Sequence, residues 1–209
     1  MPETIGYQQI CAMLQAAVGK IRENHEMLSR LDGAVGDGDH GTTVLRTMEA
    51  VAKAIADNPG SGPKELLAKI GWDVMDCDGG STGPLLGSFF VGMSNAVGGK
   101  TQLDCAAVAA MFEGGIHNLA RQSRAKIGDK TMMDAFLPAF DALKAAAPSC
   151  TIRMALHQAA EAAAQGAEST KQLRAKFGRA RHLGDRVIGH ADPGSVSVSL
   201  LFQGFSEAV

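Results

Sequence analysis

The chain has 209 residues, of which 45% are apolar and 20% charged, and its formal net charge is −2. That length suffices for a substantial core, and the near-neutral balance argues against nucleic acid or an anionic membrane surface as partner. No apolar run approaches the roughly eighteen residues of a membrane span. The opening MPETIGYQQI lacks the basic and apolar regions of a secretory signal. Cys11, Cys77, Cys105 and Cys150 form no C-x-x-C pair, so the expectation is a cytoplasmic protein with reduced thiols.

Apolar positions recur at helical spacing along the whole chain. A first helix carries Ile10, Met13, Leu14, Ala17, Val18, Ile21, Leu28 and Leu31, and a second Val44, Leu45, Met48, Val51, Ala52 and Ile55. A third is outlined by Leu66, Leu67, Ile70 and Val74, and a fourth by Leu85, Leu86, Phe89, Phe90 and Met93. Val108, Met111, Phe112 and Ile116 mark a fifth, and Met133, Phe136, Leu137, Phe140 and Leu143 a sixth. The alanine-rich run 151–169 predicts a seventh, and Val196 to Phe205 an eighth, although SVSVSL there alternates like a strand. Alanine and leucine dominate and β-branched runs are scarce, so helix propensity agrees with the period. The expected fold is all-α: one domain over 1–209, an eight-helix antiparallel up-and-down barrel or bundle.

Short loops between helices favour antiparallel neighbours, so every second junction falls on the same rim. The even-to-odd connections NPGSGP, GGKTQ and APSC are chemically bland. The odd-to-even connections, by contrast, are DGAVGDGDHG, DGGST, RQSRAKIGDK and the long stretch from Lys171 to Gly194. All the chemistry-bearing junctions are therefore expected at one rim.

In the first junction Asp32, Asp37 and Asp39 lie within eight residues. Two carboxylates about 4 Å apart repel by roughly 4 kcal/mol at an effective dielectric near 20, so a loop gathering three calls for a cation, raised pKa values or wide separation. Asp37 and Asp39 share one side of an extended segment, and Gly33, Gly36 and Gly38 let the backbone fold Asp32 toward them. Hard oxygen ligands without cysteine favour Mg²⁺, Mn²⁺ or Ca²⁺ over zinc. The plain alternative is an Asp/Gly turn followed by a helix cap. A calcium EF-hand counted from Asp37 would need a carboxylate where Met48 stands. Gly36, Gly38 and Gly41 also satisfy G-x-G-x-x-G, but a dinucleotide turn needs a preceding strand, and here a long amphipathic helix precedes it.

The second junction places Gly79, Gly80 and Gly83 around Ser81 and Thr82, with Pro84 at a helix start. Free N–H groups and the positive dipole end at a helix N-terminus suit an anion. Thr42 or Thr43 is positioned to cap the second helix, and Asp129 or Thr131 the sixth. Lys130 is read either as a surface ion pair or as a partner for phosphate. The fourth junction, about two dozen residues long, holds Lys171, Arg174, Lys176, Arg179, Arg181 and Arg186, six of the chain's 20 basic residues. Loops of that length are uncommon unless functional or disordered. Opposite an acidic loop, this one reads as a clamp for phosphates.

Taken together, LDGAVGDGDHG, GGSTGP, GDKTMMD and GRARHLGDRVIGHADPG resemble the nucleotide-binding L subunit of dihydroxyacetone kinases. The resemblance spans nearly the whole chain. It implies a barrel holding ADP or ATP with two Mg²⁺ at one end, and metal ligation by Asp32, Asp37 and Asp39. It also implies that His40, Gly41, Thr42 and Thr43, with Ser81 and Thr82, meet the phosphates or their metals. Ser123, Met132, Arg179, Asp192, Pro193 and Gly194 would complete the nucleotide pocket. The implied enzyme is a phosphotransferase active only with a separate K subunit, which holds a short ketose covalently on a histidine. In one version of the family ATP exchanges; in the other, ADP stays bound and a phosphoenolpyruvate-fed phosphocarrier rephosphorylates it. A homodimer is left open. No residue of this chain stands out as a general base, so catalytic residues here are unassigned. The competing readings are a nucleotide-sensing regulatory module, a kinase subunit for another ketose such as erythrulose, and a magnesium-dependent phosphohydrolase acting alone.

Overall fold

A computed structural model describes residues 3–209. Eight α-helices are found among them: α1 (Tyr7–Val35), α2 (His40–Asp57), α3 (Pro63–Asp76), α4 (Thr82–Val97), α5 (Cys105–Gln122), α6 (Met133–Ala146), α7 (Ile152–Ser169) and α8 (Pro193–Glu207). Each helix packs on its sequence neighbours, and α8 returns to α1, closing an antiparallel ring. The all-helical expectation holds. SVSVSL lies within α8, where Val198, Leu200 and Leu201 are buried beside Ser197 and Ser199. Small serines let the crowded face of a helix alternate without becoming a strand.

The apolar stripes meet in one continuous core. On one side of the ring it is aromatic: Phe89 lies 4.9 Å from Phe136 and 6.0 Å from Phe112 between ring centroids. Phe202 stands 5.6 Å from Phe112 and 6.1 Å from Phe136. These tilted and edge-on contacts lock α4, α5, α6 and α8 together. At the pole where α1 and α5 begin, β1 (Ile5–Gly6) pairs antiparallel with β2 (Gln102–Leu103).

Three local expectations are corrected. The first junction is shorter than its glycines suggest: α1 runs through Asp32 and Gly33 to Val35, which is buried, and α2 already starts at His40, leaving only 36–39 as loop. Asp39, not Thr42 or Thr43, occupies the N-cap of α2; Thr43 lies in the first turn, and its Oγ1 donates to the His40 carbonyl at 2.9 Å. The last junction is structured, containing 3₁₀ turns at Thr170–Gln172 and Arg179–Val187.

Candidate functional site

The N-termini of α2, α4, α6 and α8 open onto one cavity of about 700 Å³, a volume within the range of small-ligand sites. Asp39 and His40 from α2, Ser81 and Thr82 from α4, Met132 and Met133 from α6, and Asp192 to Gly194 from α8 all line it. Each N-terminus leaves N–H groups without helical partners and carries the positive dipole end, so the cavity is built to receive an anion. Of the residues singled out in the sequence, Asp32, Asp37, Asp39, His40, Thr43, Ser81, Thr82, Ser123, Lys130, Thr131, Met132, Arg179, Asp192, Pro193 and Gly194 line it. Gly41 and Thr42 lie outside that lining. Gly41 serves the packing of α2 on α1: a Cβ there would stand 1.8 Å from the His25 carbonyl oxygen.

One ligand oxygen from each of Asp32, Asp37 and Asp39 falls within 4.8 Å of the others. Asp32 contributes from the last turn of α1 and the other two from the tight loop, where Gly38 takes φ 81°. Oxygens on opposite sides of Mg²⁺ at about 2.1 Å stand about 4.2 Å apart, so small rotations bring the three onto one ion. The all-oxygen set fits a hard divalent cation. In this structure the Arg179 guanidinium pairs with Asp37 and lies 3.7 Å from Asp39, offsetting part of the acidic charge. The Asp32 carboxylate accepts the His40 backbone N–H at 3.2 Å. His40 Nε2 is 3.2 Å from Ser197 Oγ. Burial pushes the imidazole pKa down against the pull of Asp32, which favours the neutral ring.

Opposite the acidic loop, Lys130 is buried, not a surface ion pair. Its Nζ donates to the carbonyls of Thr170 and His190, each at 2.5 Å. Asp134 accepts the N–H groups of Gly128 (2.6 Å) and Thr131 (2.8 Å), and the Thr131 hydroxyl accepts from Met133 N at 3.2 Å. Asp129 does not cap α6; it accepts the Lys126 N–H at 2.9 Å and pairs with Lys176 at 2.7 Å, which holds its carboxyl below the usual range. Asp192 caps α8 by accepting from Ser195 N at 2.7 Å, while burial pushes its carboxyl up to about 6.

Much of the basic charge in the 171–190 flap is neutralised within the chain. Lys171 pairs with Glu168, Arg174 with Asp185, Lys176 with Asp129 and Arg179 with the acidic loop. Arg181, one of the basic residues read as a phosphate clamp, lines the cavity, as do Phe177 and His182, which were not singled out as ligand contacts. The signal for Phe177 was an aromatic residue inside an otherwise polar, basic loop. Leu85, Leu119, Ala125, Met132 and Met133 form an apolar part of the wall, suited to the face of a flat ring.

An all-helical ring with a carboxylate triad beneath converging helix N-termini defines a cavity for metal plus anion. The chain belongs to the DAK2 domain family, which its residues 34–207 match. It is 35% identical to the PEP-dependent dihydroxyacetone kinase 1, ADP-binding subunit DhaL, of Listeria innocua, over 88% of this chain and 87% of that one. The corresponding subunit of the PEP-dependent dihydroxyacetone kinase of Escherichia coli is 33% identical over 85% of each chain. The crystal structure of the dihydroxyacetone kinase from C. freundii in complex with AMP-PNP and Mg²⁺ matches with a TM-score of 0.76 at 25% identity. There 100% of this chain covers 35% of the other, so it corresponds to about a third of that kinase.

Proposed function

We propose that the chain is the nucleotide-binding subunit of a dihydroxyacetone-type kinase, passing a phosphoryl group from bound nucleotide to a short ketose held on a separate K subunit. The observation that carries this reading is the triad Asp32, Asp37 and Asp39 facing four helix N-termini across one cavity. ADP carries about three negative charges at neutral pH and the triad adds up to three. Two Mg²⁺ ions, with Arg179 and the helix dipoles, offset that load. When bound, Mg²⁺ supplies charge neutralisation along the phosphate chain. Asp32, Asp37 and Asp39 hold the metal. Thr43, Ser81, Thr82 and the N–H groups at the starts of α2 and α4 orient the phosphates. The apolar wall around Met132 and Leu119 takes the base, and Asp192 fixes the start of α8 beside it. Arg179 leaves the triad to meet phosphate.

Transfer of this kind rests on positioning and electrostatics, so the base that deprotonates the sugar belongs to the partner. The names of the relatives, PEP-dependent and ADP-binding, support the version in which ADP stays bound and a phosphoenolpyruvate-fed carrier rephosphorylates it.

Titration calorimetry tests the site: Asp37→Ala is expected to weaken Mg²⁺-dependent ADP binding by about a hundredfold or more, the scale of losing a charged ligand, with far-UV circular dichroism unchanged. Undiminished binding would overturn the metal assignment. Mixing the chain with K subunit, dihydroxyacetone and either ATP or the phosphoenolpyruvate relay tests the reaction. Sugar phosphate is the expected product; nucleotide binding without any product would favour a sensor module.

A further inference from the structure

The 171–190 flap is closed at its neck by a set of bonds, two of which converge on the buried side chain of Lys130. Besides the two carbonyls held by Lys130 Nζ, Gly189 N donates to the Lys171 carbonyl at 2.7 Å. Asp192 N donates to Thr170 Oγ1 at 2.8 Å. The neighbouring residue adds a second tether: Lys176 N donates to the Asp129 carbonyl at 3.1 Å, and Lys176 Nζ pairs with the Asp129 carboxylate. Lys130 takes φ 58°, the one positive φ of a non-glycine residue among the described residues. Such a conformation persists where surrounding contacts over-determine it, often at functional sites. An ammonium has three N–H donors, and here two of them point to backbone carbonyls on opposite sides of the neck.

We infer that Lys130 is a positioning residue that staples the two ends of the basic flap together, setting Arg179 over the nucleotide cavity, with its own ammonium committed to Thr170 and His190 in place of phosphate. Deleting the ammonium cuts the one side-chain link between the Thr170 and His190 carbonyls, leaving Thr170 only the Leu173 N–H at 3.1 Å, which favours local opening of the flap over global unfolding. The nucleotide consequence rests on the function proposed above; the staple itself does not.

Hydrogen exchange on the full chain without ligand tests the staple. In Lys130→Met the amides of Lys176 and Gly189 are expected to exchange about tenfold faster, with protection inside α1 and α4 unchanged. Unchanged protection at Gly189 would overturn the inference. Should that variant fail to fold, Lys130→Gln, which keeps an N–H donor for one carbonyl, is expected to fold and to show the same local loosening; normal Gly189 protection in it would sink the staple.

A double-mutant cycle then separates positioning from direct phosphate contact. Lys130→Met is expected to weaken Mg²⁺–ADP binding about tenfold alone, but by less than about twofold in an Arg179→Ala background, because both act through the same flap. Additive losses would overturn the positioning role. If the unsubstituted chain binds no Mg²⁺–ADP, the proposed function fails, while the exchange result still decides the staple.

Discussion

Asp192 combines two roles that pull its carboxyl in opposite directions. It caps α8 as an acceptor, which favours the ionised form, yet burial wins and raises it to about 6 from 3.8. Between those values the native protein binds a proton that the unfolded chain has released, so this group's contribution to stability falls as pH rises from about 4 to 6. Asn serves equally well at an N-cap. Urea denaturation across that window should therefore show Asp192→Asn gaining on the unsubstituted chain as pH rises, with the difference flat above about 7. A constant difference would mean that the carboxyl ionises normally. The aspartate triad was legible in the sequence because three acids within eight residues raise the question of a cation without any coordinates. Lys130 was not: flanked by Gly128, Asp129 and Thr131, it reads as a surface loop residue, and its partners are backbone carbonyls 40 and 60 positions away. A backbone carbonyl leaves no mark in a sequence.

The element that matters most to the site is the α1–α2 hairpin, because both helices end or begin on the triad. Gly41 lets them approach so closely that any Cβ would strike α1 backbone. Gly41→Ala is expected to cost about 1–3 kcal/mol, the range for overpacking, as read from urea denaturation. It should also weaken Mg²⁺–ADP binding, since the helices must part beside Asp32 and Asp39. Helix periods and counts were readable from the apolar pattern, and so was the shared rim. The end of α1 was not, since Asp32-Gly33 has the composition of a turn, and only the burial of Val35 in the cavity wall shows why the helix continues.

For the whole molecule, the cavity draws on every even-numbered helix start, so a ligand there links elements spread along the sequence. A ligand that binds only the folded state at a hundred times its Kd adds about 2.7 kcal/mol. For a chain of this size that corresponds to a rise in Tm of about 5–11 °C with Mg²⁺–ADP. A chelator should abolish that rise, and Asp37→Ala should lack it; calorimetric scans with and without EDTA check both. The alternation of loops has a further result at the other pole. Gly98 and Gly99 turn there between α4 and β2, with open space where a Cβ would stand. Such a corner is free to be lengthened, labelled or moored to a surface while ligand exchange goes on at the opposite mouth, and an affinity handle spliced between them should leave Mg²⁺–ADP affinity within about twofold.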